Sequence, residues 1–509
     1  MARYKHIDRS PCFVAIDFEH QLIPGTFEHA LGYLVDHQLD LTPFDARFNN
    51  DSNGAPAWPP AVMLKIVLFA YAHGIVGSRR IAGACTEQVT FMALSGGSQP
   101  HFTSIASFVS RLGEDIAAVF GAVVALCQQQ GLIGAECLAI DGVKLPSHAS
   151  KHKSGTRDEF DQQATKLEAL AQALLDQHLA ADKAATVAEL DTHRARRIER
   201  LTSEASKIRD WLARHPEDRI GTAGKPVKSN RTDNDSAKLA TDKGVIQGYT
   251  AVAAVDAKHQ IIVAASAHGT SAEHALLMPT LDACGNVLTE HTLVTADAGY
   301  YSHDNLLALH ERRIDALIAD NNLRKRDPRL AGQDKHRRRK DPHHNKRKVT
   351  PKAPRGFTVE QFTYDPQQRT LTCPAGQQLY RNGQHCLIKG RPGMHFRGAK
   401  RDCVPCPLRE QCLRTPDRTQ TRQVTLFLDK HTSLPQRLAQ DMRERIDSDQ
   451  GRRHYAQRFQ TVEPVFGNLH YNKGLDRFTL RGQAKVNGQW LLCCLVHNIE
   501  KLAPFIRAA

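Results

Sequence analysis

Apolar residues change their spacing several times along the chain, and each change predicts an element. Residues 59–72 (PPAVMLKIVLFAYA) open on prolines suited to a helix start and stay apolar on every side, which predicts a buried helix. Shorter helical patterns follow at 78–85 and 103–112, separated by Gly96, Gly97 and Pro100. Residues 136–144 (ECLAIDGVK) read as a strand whose apolar run leads into Asp141, although an Asp-Gly pair is also an ordinary turn signal. From 158 to 214 the period becomes that of paired helices. Leu167, Leu170 and Leu174 share one face, and Ile198, Leu201, Ala205, Ile208 and Leu212 step by three and four. This predicts a helical hairpin inserted into the fold, closed on itself or used for dimerisation. Residues 221–243 are polar and read as a loop. Strand signals return at 248–256 and 260–267, joined by a short turn as a hairpin. A helical pattern at 274–283, a strand at 291–296 leading into Asp297, a helix N-capped by Ser302 and a strand at 314–318 complete the order. The order predicts a mixed α/β sheet with carboxylates at the ends of its first and fourth strands.

Charge adds a partner to this picture. The 509 residues carry 68 Lys and Arg against 54 Asp and Glu, a net +14, which favours an acidic partner such as nucleic acid. The excess is uneven. Residues 324–348 hold twelve cations (Arg324, Lys325, Arg326, Arg329, Lys335, Arg337, Arg338, Arg339, Lys340, Lys346, Arg347 and Lys348) against three aspartates. A surface arm of this kind neutralises phosphates without reading sequence; a solvated polybasic loop is the blander reading. The short N-terminal helices allow a helix-turn-helix with Arg79, Arg80 and Arg111 near DNA, or a small bundle with solvated arginines. An apolar share of 41% excludes disorder of the whole chain. The first residues, MARYKHID, contain no apolar signal-peptide core, and the longest nearly apolar stretch, residues 116–127, falls short of the roughly 20 residues a bilayer span needs. A cytoplasmic protein, not associated with a membrane, is expected.

Twelve cysteines then point to reduced thiols in such a compartment. Five cluster between 373 and 412. Cys403 and Cys406 form a C-x2-C knuckle, with Cys412 after it and Cys373 upstream in CPAG. Four thiolates suit a closed tetrahedral structural zinc site, which leaves Cys386 as an alternative ligand or a free thiol. Bystander cysteines and a redox pair are the competing readings, the latter without a thioredoxin-like βαβ context.

Near the C-terminus, helical spacing places Tyr455, Phe459, Val462 and Phe466 toward a core and projects Glu463 among basic residues; an isolated Glu there also reads as plain surface charge. Four segments together resemble the DDE transposases of bacterial insertion sequences, in the group with a Tyr–Arg–Glu–Lys signature: LAIDGVKL around Asp141, QGYTAVAAVD at 247–256, TADAGYYS around Asp297, and VEPVFGNLHYNKGLDRFTLRG from Val462. The cysteine-rich stretch CPAG…CVPCPLREQC is similar to an insertion in that group, and residues 57–120 are similar to its leading helical domain.

The resemblance implies an α/β fold: an RNase H-like mixed-sheet core with an N-terminal helical domain, a helical-hairpin insertion and a cysteine-rich zinc-knuckle insertion. The expected division is a helical DNA-binding domain (1–135), the first part of the core (136–320, insertion 158–214), the basic arm (321–356), the zinc-binding insertion (357–425) and the C-terminal part of the core (426–509). It further implies DNA cleavage at element ends and strand transfer by two Mg²⁺ ions, with Mn²⁺ as substitute, held by Asp141, Asp297 and Glu463. Oxygen ligands suit Mg²⁺, and ions roughly 4 Å apart serve both the attacking and leaving oxygens. Tyr455, Arg458, His470 and Lys473 take the DNA-end positions. The signature departs here in two ways: four residues separate Arg458 from Glu463 where three are expected, and His470 stands where the Lys belongs. The implied partners are double-stranded DNA, as terminal inverted repeats and target, and a second copy of the chain. A catalytically inactive DNA-binding derivative and a purely hydrolytic nuclease of the same fold are the alternatives.

Overall fold

A computed structural model of the chain describes residues 15–47, 56–113, 115–182, 188–221, 224–242, 244–327, 356–382, 386–388, 391–427 and 434–506. It divides into two compact units, one of residues 1–323 with 442–509 and one of residues 324–441.

The larger unit begins with helices α1 (Phe27–His37), α2 (Pro60–Ala72), α3 (Ser78–Glu87), α4 (Phe102–Ser110) and α5 (Asp115–Gln129). Helix α2 is buried from Met63 to Ala72 apart from Lys65, as its apolar sequence predicts. The sheet that follows comprises β1 (Cys137–Pro146), β2 (Ala237–Thr241), β3 (Gly244–Asp256), β4 (Ile262–His268), β5 (Leu293–Ala296) and β6 (Ala316–Ile318). Its order is β6-β5-β1-β3-β2, with β4 also paired to β3. Strands β1, β5 and β6 run parallel; β2, β3 and β4 are joined antiparallel. A mixed α/β architecture is thus present. Strand β3 is buried without a break from Gln247 to Asp256, and its near-continuous apolar run is that of a sheet centre.

Two sequence expectations need correction. The polar stretch 221–243 is not all loop, because Ala237–Thr241 pairs with β3 from Ala237↔Gly248 to Thr241↔Gly244. Only Leu239 of this strand is buried, so it shows little apolar alternation. Asp141 is also not at a strand end. It lies mid-strand opposite Ala253, because β3 is long enough to keep β1 paired as far as Pro146.

The hairpin insertion forms as predicted, from α6 (Arg157–Asp182) and α7 (Ala188–Arg214). Its packing is concentrated at the base, where Phe160, Ala164, Ile208, Trp211 and Leu212 make a core and Phe160 meets Trp211 edge-on at 4.9 Å. Leu170, assigned to the seam by periodicity, is exposed, and Ala171 is buried beside it.

After helix α8 (His303–Glu311), capped by Ser302 as expected, the unit is completed by α9 (Leu434–Asp447) from Met442 onward, α10 (Asp449–Gly467) and α11 (Gln483–Leu502). Helix α11 is buried almost throughout and packs against β4, α2 and α5. Polar side chains lock it to the sheet. Trp490 Nε1 donates to Val252 O at 3.0 Å, and Asn487 Oδ1 accepts from Ala267 N at 2.9 Å. Asn498 makes both bonds to Ile262, at 2.9 and 2.8 Å, beside the register shift at Ala254/Val255. A buried Asn or Trp is tolerated only with such partners. No helix among the described residues is long and apolar enough to cross a membrane.

The smaller unit carries an antiparallel sheet of β7 (Thr363–Asp365), β8 (Thr370–Thr372), β9 (Gln378–Arg381), β10 (Cys386–Ile388), β11 (Arg391–Arg397) and β12 (Gln423–Phe427), closed over Phe362, Leu371, Leu379, Met394, Phe396 and Val424.

Candidate active site

The parallel pairing of β1 with β5 ends at Ile140↔Ala296. Asp141 and Asp297 follow those partners directly, on neighbouring strands about 4.8 Å apart. Each is oriented by local backbone. Asp141 Oδ1 accepts from Gly142 N at 2.8 Å, and Asp297 Oδ1 accepts from Gly299 N at 2.7 Å as the cap of a short turn.

The second oxygen of Asp141 accepts from Arg458 Nη1 at 2.8 Å. Arg458 lies on α10, which also holds Pro464 in its interior. Pro464 cannot donate to Gln460 O, and that carbonyl accepts from Gln260 Nε2 at 3.1 Å instead. The proline therefore coincides with a tether from the helix to the β3–β4 turn. The inward face of α10 is Arg458, Thr461, Val462 and Val465, at helical spacing. This corrects the sequence reading: Phe459 is 47% exposed, and Arg458 is turned in toward Asp141 in its place. The guanidinium lies 5.7 Å from the Tyr455 ring and 5.1 Å from the Phe459 ring.

Burial pushes the Asp141 carboxyl above its ordinary range; Arg458 opposes this and the nearby Asp297 adds to it. Burial likewise raises the Tyr455 phenol, with Arg458 opposing and Asp297 adding. Tyr300 is fully buried beside these groups. Among the described residues its hydroxyl has no hydrogen-bond partner, and its pKa is raised by burial and then by Asp141, Glu273 and Asp297.

Glu463 sits five residues beyond Arg458, about 140° further round the helix. It is exposed, on the same face as Phe459. His470 is exposed and lies 3.4 Å from Asp476. Lys473 is buried: its ammonium donates to Ala72 O at 3.0 Å and pairs with Glu500. The structure thus brings Asp141, Asp297, Tyr455 and Arg458 together, and directs Glu463, His470 and Lys473 elsewhere. Of the basic arm, Arg324 is exposed and Lys325 and Arg326 belong to a short helix, Leu323–Arg326. Arg337, Arg338, Arg339, Lys340, Lys346, Arg347 and Lys348 lie outside the described residues.

Sequence reasoning missed Glu273 and Lys144, which pair at 3.0 Å beside the aspartates. Lys144 was visible as part of the Asp141 segment, but Glu273 has no local signature.

In the smaller unit, Cys373, Cys403, Cys406 and Cys412 line one cavity of about 30 Å³. Gly398 approaches so closely that a Cβ there would strike Cys403 Sγ. Cys386 lies in β10, opposite Gly393. Among the described residues, no three Cys, His, Asp or Glu side chains are already drawn into a metal-holding group, here or at the aspartates. Cys373, Cys403, Cys406 and Cys412 are free thiols.

Two families match the chain. The Transposase DDE domain matches residues 372–503, and the Transposase domain (DUF772) matches residues 17–111. Two transposase matches at separate places in one chain are consistent with a DDE transposase of insertion sequences. Asp141 and Asp297 lie between the matched stretches. No curated protein matches the chain.

Proposed function

We propose that the protein cleaves DNA at the ends of its element and joins the freed strands to target DNA, using Asp141 and Asp297, with Glu463 once α10 turns it toward them, as carboxylate ligands of two divalent cations. The observation that carries this reading is the placement of Asp141 and Asp297 on adjacent parallel strands just past Ile140↔Ala296. The strand order supports an RNase H-like core: three consecutive antiparallel strands, β4-β3-β1, continue into the parallel pair β5-β6. Divalent ions at the carboxylates, Mg²⁺ or Mn²⁺, would activate the attacking oxygen and stabilise the leaving one. The donor set fits hard cations, since Asp141 and Asp297 bring carboxylates from separate segments side by side, with 24% of the Asp141 side chain exposed.

Arg458 and Tyr455 flank the aspartates and are suited to hold a phosphate and stack on a base of the DNA end. His470 is an outer contact, and the basic arm from Arg324 to Lys348 grips the backbone. Lys473 was assigned to the DNA end as the lysine one turn beyond His470, which holds the signature position; its buried pairing with Glu500 makes it a support for the helix junction. The smaller unit is proposed to hold one structural zinc ion on Cys373, Cys403, Cys406 and Cys412, whose shared cavity and the absent Gly398 side chain leave room for it. A homodimer acting on paired inverted repeats is the proposed active form.

The test is cleavage and strand transfer on end-bearing duplexes with Mg²⁺. Asp141→Ala should abolish both while DNA binding persists; an Asp141→Ala protein that still cuts element ends would overturn the assignment. Joining of pre-cleaved ends to target DNA separates a transposase from a hydrolytic nuclease.

A further inference from the structure

Glu273 stands at the start of a short turn, Glu273–Leu276, a few residues after β4. Its two oxygens face different groups. Oε1 lies 3.0 Å from Lys144 Nζ, and Lys144 is three residues beyond Asp141 on β1. Oε2 occupies the space beside Gly299 where a Cβ would collide with it, and Asp297 Oδ1 is 3.0 Å from the same point. Glu273 thus sits beside the Asp297 carboxylate, in space left open because residue 299 has no side chain.

The Tyr300 hydroxyl marks the centre of this group. It is fully buried and, among the described residues, without a partner, and a Cβ on Gly142, the residue after Asp141, would lie 3.0 Å from it. Asp141, Asp297 and Glu273 all raise its pKa. An orphaned hydroxyl among carboxylates is costly unless a ligand or ordered water completes the site. The charges agree. Three carboxylates face two cations, Arg458 and Lys144, and the remaining negative charge calls for a bound cation.

We propose that Glu273 is a carboxylate ligand of the divalent-cation site built on Asp141 and Asp297, with Lys144 as its counter-ion in the metal-free protein. This rests on the reading of those aspartates as metal ligands. Each carboxylate has its own partner: Asp141 has Arg458, Asp297 the Gly299 N–H and Glu273 has Lys144. Glu273 has the length to exchange Lys144 for a metal ion by rotation of its side chain. The alternative, a purely structural ion pair, accounts neither for the bare Gly299 nor for the unpartnered Tyr300 hydroxyl.

The experiment is titration of the full chain with Mn²⁺, followed by the electron paramagnetic resonance signal of free Mn²⁺, with thermal melting to check folding. Asp141→Asn should abolish tight binding, and Glu273→Gln should weaken it by roughly 10–100-fold, the scale on which groups around a metal ligand act. Lys144→Met should tighten binding, since it removes a competing cation and leaves Glu273 in place. If Glu273→Gln is folded and binds Mn²⁺ like the wild type while Asp141→Asn does not, Glu273 is structural and the inference fails alone. If Glu273→Gln does not fold, Lys144→Met decides: unchanged Mn²⁺ affinity overturns the inference and tightened affinity supports it. Wild-type binding by Asp141→Asn would overturn the aspartate reading itself.

Discussion

Arg458 Nη1 donates to Asp141 Oδ2 at 2.8 Å, closing a contact between residues 317 positions apart. The arginine side chain is only 7% exposed, so its charge depends on this partner. Arg458→Met should destabilise the protein by about 1–3 kcal/mol, the scale of a lost charged hydrogen bond, since the partly exposed Asp141 left behind can take up a proton. The double variant with Asp141→Asn should regain most of that loss. Urea unfolding of the single and double variants measures both; strictly additive effects would show that the pair is not energetically coupled.

Glu463 separates chemistry from stability more cleanly. Because it is exposed, Glu463→Gln should change unfolding free energy by no more than about 0.5 kcal/mol. End cleavage should nevertheless fall by about 10²–10³-fold if it completes the carboxylate set. Unchanged cleavage would remove Glu463 from that set.

The cysteine cluster makes a compositional prediction. Purified protein should contain one zinc ion per chain by elemental analysis, and Cys406→Ser should lose it and lower the melting temperature. A wild-type chain free of zinc, prepared without chelators, would contradict the four-thiolate reading.

His497 sets an acid limit on stability. Its Nε2 faces Gln260 O at 2.8 Å, and its Nδ1 faces Asn468 Nδ2 at 3.1 Å. Donation from Nε2 to the carbonyl leaves Nδ1 to accept from the amide, so the neutral ring satisfies both contacts. Burial pushes the imidazole from its usual 6.5 down to about 4. The folded state therefore binds the proton less readily than the unfolded state. This stabilisation is complete above pH 6.5, declines as pH falls toward 4 and is lost below it, for a total on the order of 3 kcal/mol. His497→Gln should flatten the pH dependence of unfolding across that window. An unchanged slope would show that another group dominates it.

Much of the architecture was legible because burial leaves a period in the residues themselves. Strand β3 and helix α2 are continuous apolar runs, and the α6–α7 hairpin announces itself by three-and-four spacing. Strand β2 escaped because one buried leucine makes no pattern. At the site, Asp141 and Asp297 were found from short motifs, but the orientation of α10 was misjudged. An aromatic repeat placed Phe459 inward, whereas Asp141 binds Arg458 and turns that face instead. Lys473 lies one turn beyond the signature position yet is spent on Ala72 and Glu500, contacts its neighbours in sequence do not foretell.

The sequence by itself determined most of the strands and helices, Asp141 and Asp297 as the candidate aspartates, the cysteine spacing and the concentration of charge between 324 and 348. These depend on side-chain type and local period. Only the tertiary structure decided that Arg458 neutralises Asp141, that Lys473 is internal and that Glu273 sits beside Asp297 at a bare Gly299. Such pairings join segments far apart in the chain. They depend on sheet register and helix rotation, which the packing of the whole unit selects and no local stretch encodes.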